Sequence, residues 1–380
     1  MVKSNTSALG IIFPNYYDSL VPEMVSERLM GSVPFASRYR MIDFVLSSMV
    51  NSGINNVSVL VREKYHSLMD HLGSGREWDL VRKNGGLTIW PPYAEKGMHL
   101  YDGRIEALHH TLSYLEKQKE KYVIIADTNI AVNFDFRKFI NEHKESGADV
   151  SVAYTEQEVP KGLVNAQNSR KDMFYTFKLE NGRVTKWYIN RKEDGVQNLG
   201  MNIYCFDREY MIDLVNEAYV HGQTNLERDV LSNEVDKIHI HGYKYEGYYA
   251  RICDRNSFFE ENMKLLKDEN LEGLFAGGQI YTKLRDDNPT RYIAGATVKN
   301  MMAADGCVIE GTVENCILFR GVKIGKGAVV KNCVLMQDTV VEENVKAEYV
   351  ITDKDAVVTA GKEIKGADTF PLYIAKHQKV

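Results

Sequence analysis

Val322-Lys-Ile-Gly-Lys-Gly-Ala-Val-Val-Lys-Asn-Cys-Val-Leu-Met-Gln-Asp-Thr-Val340 decides the fold of the C-terminal part of the chain. Val322, Ala328, Val334 and Val340 recur every six residues; after one shorter step, Val345, Ile351 and Val357 continue at six. Short β-branched strands parted by polar corners, Gly325-Lys-Gly327 and Lys331-Asn332, fit a hexapeptide coil with three sides. An antiparallel meander would not sustain that period, so the spacing predicts a parallel β-helix domain over 301–380. A helix of few coils needs capping, by docking on the first domain or on another subunit.

Working back from this stretch, the chain changes character near residue 300. Ala8 to Phe13, Val57 to Val61, Tyr122 to Ala126 and Ala148 to Tyr154 read as buried strands. Helical segments separate them: Ile42 to Met49, a face made by Ile105, Leu108, Leu112 and Leu115, and Asp135 to His143. Strands alternating with crossover helices predict an α/β domain with a mainly parallel sheet over 1–267. Asn181-Gly182 turns a hairpin over 174–189, an antiparallel insertion. Residues 268–300, with two short strand candidates and Asp286-Asp-Asn-Pro289, are expected to form the linker.

Composition narrows the function classes. The 380 residues are 44% hydrophobic and 26% charged, as in a folded globular protein. Lys and Arg total 47 against 52 Asp and Glu, a net charge of −5, which argues against a general nucleic-acid binder. No run of 18 apolar residues is present, and Met1 to Ser7 lacks a signal-peptide pattern, so a cytoplasmic protein with no membrane partner is expected. Cys205, Cys253, Cys307, Cys316 and Cys333 form no CxxC pair; they read as small buried residues rather than a disulfide framework or zinc site.

In open α/β sheets ligands bind beyond the carboxyl ends of the strands, which directs attention to the loops after Phe13, Ala126 and Tyr154. There the chain resembles the glucose-1-phosphate adenylyltransferase (ADP-glucose pyrophosphorylase) family. The resemblance is carried by Phe35-Ala-Ser-Arg-Tyr-Arg-Met-Ile-Asp-Phe44, Leu46 to Ile54, Tyr101-Asp-Gly-Arg-Ile-Glu-Ala107, Tyr122 to Phe136, His143 to Asp149, Leu199 to Phe206 and Gly247 to Met263, in matching order along the whole chain. It implies a nucleotidyltransferase-like, Rossmann-type mixed sheet followed by a short left-handed parallel β-helix. It also implies a reaction in which a sugar phosphate attacks the α-phosphate of ATP and releases pyrophosphate. That chemistry needs a glycine-rich phosphate loop, basic residues and carboxylates for Mg²⁺.

The matching positions here depart from those needs. The loop Ile12-Phe-Pro-Asn-Tyr-Tyr-Asp-Ser-Leu20 has no glycine, Pro14 offers no N–H, and Tyr16, Tyr17 and Asp18 sit where backbone should meet phosphate. Met30 falls at the family's lysine, Asn129 at one metal aspartate and Arg251 at the other. Gly103-Arg-Ile-Glu-Ala107 also departs from the family pattern. Together the losses imply the non-catalytic, GlgD-type branch: a regulatory subunit, inactive alone, joined to a catalytic subunit in a mixed oligomer, expected to be a heterotetramer, with a homo-oligomer possible. The chain itself is expected to bind no cofactor and no metal, Mg²⁺ being used by the catalytic partner. The alternative is an active nucleotidyltransferase with a rearranged metal site built on Asp127 and Asp18.

Further candidates are weighed against plainer roles. The resemblance places a basic effector residue near Arg38, so Arg38 and Arg40 could hold a sugar-phosphate effector or stand as solvated arginines, with Arg40 pairing with Asp43 or a neighbouring carboxylate. Arg191 aligns roughly with a sugar-phosphate lysine; Gly200 and Met201 match a sugar-binding segment in part. His109 and His110 point in different directions on a helix, and His239 and His241 read as surface or interface residues. The repeat invites an acyltransferase reading, but no histidine lies between His241 and His377 to act as its base.

Overall fold

The computed structural model describes residues 7–92, 101, 103–166 and 173–380. Met1 to Thr6, read for targeting, and Asp102 of the resemblance lie outside them. Nine strands form the main sheet: β1 (Ala8–Phe13), β2 (Asn56–Leu60), β3 (Gly86–Trp90), β4 (Tyr122–Asp127), β5 (Val150–Gln157), β6 (Tyr175–Glu180), β7 (Arg183–Ile189), β8 (Gln197–Asp207) and β9 (Ile240–Lys244). Their spatial order is β3-β2-β1-β4-β8-β5-β9-β7-β6. β1 pairs in parallel with β2 and β4, whereas β8 runs antiparallel between β4 and β5.

β1 is buried along its whole length because both faces are covered. Ala8 and Ile12 meet one layer, with Ile42, Leu46, Met49 and Phe139; Leu9, Ile11 and Phe13 meet the other, with Ile105, Leu108, Leu112 and Val215. A Cβ on Gly10 would stand 2.5 Å from the Met49 sulfur, so glycine lets the helix Met41–Asn51 lie close to the sheet. The helix expected over 105–115 is instead two, Arg104–His109 and Leu112–Leu115. The Thr111 hydroxyl donates to the Leu108 carbonyl at the break, while all four apolar residues still reach the core. The hairpin joins β6 to β7 with Asn181 at φ 51° and Gly182 at φ 79°, the left-handed pair such a turn requires.

The C-terminal coils stack in parallel. Arg291–Tyr292, Val308–Ile309, Lys323–Ile324, Val340–Val341 and Val357–Val358 make one face of a parallel β-helix. Register pairs Lys323 with Val340 and Val340 with Val357, so a full coil takes 17 residues and one side is a residue short. This corrects the six-residue reading. The series Val322, Ala328, Cys333, Thr339, Val345, Val350 and Ala356 is enclosed, as are Ile324, Val330, Leu335, Val341 and Val358 two residues further on in their coils. Val340 is half-buried on the outer face, and Val334 and Ile351 pack outward against the α/β domain. The stretch 268–300 contains the helix Asp268–Phe275 and two strands, Arg291–Tyr292 and Thr297–Ala303, that already pair within the coils.

The two parts share an apolar core in which Phe258, Phe259 and Leu274 meet Ile317, Phe319, Val334, Met336 and Ile351. The segment 14–29 straps them together. Arg28 pairs with Asp353 at 2.6 Å out of solvent, Lys376 reaches Glu27 at 2.6 Å, and the Tyr373 hydroxyl donates to the Glu23 carbonyl. All five cysteines are buried and unbridged. No helix among the described residues is long and apolar enough to cross a membrane.

Candidate functional site

The strap begins where β1 ends, at the edge of the sheet where a phosphate loop would lie. Its side chains turn inward: Tyr17, Leu20, Val21, Met24 and Val25 are buried in the core shared by the two domains. Met30 follows in a short 3₁₀ turn, its N–H held by the Asp18 carboxylate at 2.7 Å and its thioether buried. Neither residue presents a group to a phosphate.

β4 ends at Asp127, in register with Phe13. Its carboxylate meets Arg104 at 2.5 Å, and Arg104 reaches Glu227 at 2.6 Å; all three side chains are out of solvent. The Tyr16 ring lies over the guanidinium at 4.0 Å and its hydroxyl accepts from the Asn225 amide at 2.7 Å. Burial pushes the Asp127 carboxyl up to about 7, with Arg104 pulling it down less strongly than burial raises it. Burial, then Glu227, raises the Tyr16 phenol to about 12. Arg104, the departure noted at 103–107, thus fills the sheet edge with the protein's own cation.

A second cluster lies beside it. Asn129 is buried after β4, and its carbonyl oxygen accepts weakly from Asn202 at 3.4 Å. Arg251 lies on the strand Tyr249–Arg251, which pairs with Ile130–Val132 and brings it next to Asn129. Its Nη2 donates to the Gly200 carbonyl at 2.7 Å. β8 is irregular between Gly200 and Tyr204, and Asn202 adopts a left-handed φ of 58° there. Gly200 therefore enters the cluster through its backbone, and a Cβ on it would stand 3.0 Å from the Phe177 ring. Met201 points into the core. Arg191 stands apart and exposed, stacked on Tyr188 at 4.5 Å and paired with Glu193.

Arg38 and Arg40 line a different feature, a cleft of about 490 Å³ between the α/β domain and the β-helix. The linker supplies Lys283 and Arg285, and the coils supply Arg320, Lys354 and Lys376. Arg40 donates to the carbonyl and hydroxyl of Ser67 and is pushed down to about 10 by burial. It meets Asp43 through its backbone N–H; the Asp43 carboxylate also holds buried His71 at 2.6 Å, a correction to the expected side-chain pair. Lys354 is lowered to about 7 by burial, then by Arg40 and Arg28. Arg38 pairs with Asp305 of the first coils at the mouth. The five basic residues after 280 were missed in the sequence because they lie far from Arg38 along the chain and lie on no motif. His109 stacks on Tyr219 at 3.7 Å and His241 pairs with Glu142 at 2.8 Å, both in structural roles.

A mixed α/β sheet joined to a hexapeptide β-helix defines a nucleotidyl transferase-type protein. The nucleotidyl transferase family profile matches residues 26–267, and that of GlmU-like C-terminal hexapeptides matches 285–370. The chain is 32% identical to a protein named glycogen biosynthesis protein GlgD from Bacillus subtilis (strain 168), over 98% of this chain and 96% of that one. It is 36% identical to the protein of the same name from Geobacillus stearothermophilus, over 86% and 83%. It is 31% identical to glucose-1-phosphate adenylyltransferase from Clostridium perfringens (strain SM101 / Type A), over 91% and 88%. The chain belongs to the glucose-1-phosphate adenylyltransferase family of nucleotidyl transferases.

Proposed function

We propose that the chain is a catalytically deficient subunit of glycogen biosynthesis that associates with a catalytic glucose-1-phosphate adenylyltransferase and modulates it. The observation that carries this reading is the occupied sheet edge. Arg104 sits between Asp127 and Glu227 under Tyr16, where the reaction would need an open loop for a triphosphate. The names of the relatives support the pathway. In the mixed assembly, proposed as a heterotetramer, Mg²⁺ and turnover belong to the partner. The basic cleft is proposed to hold an anionic effector such as a sugar phosphate, with Arg40, Arg320 and Lys354 as its donors. The rearranged-metal alternative is disfavoured because Asp127 is committed to Arg104 and Asp18 to the Met30 N–H.

The test is Mg²⁺-dependent ADP-glucose formation by the chain alone and then mixed with a catalytic subunit. No turnover alone, with a changed rate or effector response in the mixture, is expected. Turnover by the chain alone that disappears in Asp127→Ala would refute the deficient-subunit reading.

A further inference from the structure

The residues at the two positions that match the metal aspartates do not fit a divalent cation. Mg²⁺ takes a shell of oxygen ligands, whereas these positions offer a guanidinium and an amide. The disagreement has a direction. Arg251 is 5% exposed, and no carboxylate of the described residues pairs with it. One of its N–H groups goes to the Gly200 carbonyl; Nε and Nη1 have no partner among the described residues. Asp254, the nearest acid along the chain, instead caps the helix Arg255–Lys264 by accepting the Ser257 N–H. On the adjoining strand, Asn129 is 1% exposed and its Nδ2 is also without a partner. A buried guanidinium without a counter-charge is costly, and unpaired buried donors add to that cost. Asn202, held left-handed at a strand irregularity, is strain of the kind kept at binding sites.

We infer that this site has changed the sign of its ligand: Arg251 and Asn129 bind the phosphoryl oxyanion of a ligand directly, without a divalent cation. The inference rests on the reading of the site as catalytically deficient. Arginine suits the task because its planar fork meets two oxygens of one phosphoryl group. The Thr128 hydroxyl, next to Asn129 in the chain, donates to the Pro14 carbonyl, which ties the start of the strap to this site.

The experiment is amide exchange on the full chain with inorganic phosphate as probe, in EDTA. It is run in a Lys354→Gln/Arg320→Gln background that weakens the basic cleft. Phosphate is expected to slow exchange several-fold in 127–133, 197–206 and 247–254, equally with Mg²⁺ added. Arg251→Gln is expected to abolish this, and Arg251→Lys, which keeps the charge and guards against a folding failure, to weaken it about tenfold. Asn129→Asp/Arg251→Asp is expected to reverse the preference, so that Mn²⁺ protects and phosphate alone does not. Competition by a hexose 1-phosphate or an adenine nucleotide, still in EDTA, would support the site and identify what carries the phosphoryl group. Protection confined to the cleft, unchanged in Arg251→Gln, dependent on Mg²⁺ or matched by chloride would overturn the inference. Turnover by the chain alone would refute the deficient-subunit reading without altering these results, whereas absence of a phosphate effect would leave that reading standing.

Discussion

Arg104 is held by two buried carboxylates and an aromatic ring, so truncating it strands negative charge rather than opening a working site. Arg104→Met is expected to cost about 3–5 kcal/mol of stability, read from urea unfolding, without producing turnover. Lys354 makes a different prediction because its proton is loosely held. Its folded value of about 7 lies below the ordinary lysine range, so between the two the unfolded chain binds more protons than the folded one. Stability at this residue therefore rises with pH above about 7 and is flat below it. Anion affinity in the cleft has the opposite slope, falling as pH rises through 7 and Lys354 loses its charge. Lys354→Gln is expected to flatten both profiles, by calorimetry for binding and by unfolding for stability. Arg40, itself lowered to about 10, keeps its charge across that window.

At the scale of elements, the strap is the informative piece. A loop of sixteen residues would ordinarily be mobile at a sheet edge, but this one is fixed by the buried Arg28–Asp353 pair and by Glu23 and Glu27. Arg28→Ala leaves Asp353 buried without its counter-charge, held only by the Tyr373 hydroxyl and the Lys354 N–H. It is expected to cost about 3–5 kcal/mol and to speed amide exchange across 14–29 before the sheet strands are affected. Gly200→Ala should cost about 1–3 kcal/mol, since the added methyl meets the Phe177 ring. The strap's lack of glycine was legible in the sequence at Pro14, Tyr16 and Tyr17, but its burial between the two domains was not, because that depends on contacts with distant residues. The hairpin at Asn181-Gly182 was equally legible, because its turn depends on local backbone preference. The β-helix was visible as a period but displaced at Val334 and Val340. Residues on both sides of its wall are β-branched, so apolarity alone does not reveal the short side of a 17-residue coil. The cleft was not legible beyond Arg38 and Arg40, since its basic residues converge only when the coils dock.

At the scale of the whole molecule, regulation is expected to appear only in company. Mass measurement of an equimolar mixture with a catalytic subunit should show a mixed tetramer. An effector response should appear in that mixture and shift when Lys354→Gln is introduced into this chain alone. The docking of the coils on the α/β domain also bears on how the protein is made. Arg28 and Asp353 lie 325 positions apart, and Tyr373 and Lys376 close the same seam from the last coil. A ribosome delivers residue 28 long before residue 353, its partner 325 positions on. The sheet can therefore assemble during synthesis while the seam stays open until the coil that carries Asp353 emerges. A chain halted before residue 353 would leave the tunnel with Arg28 still unanchored, making these late-made residues a checkpoint for the early ones.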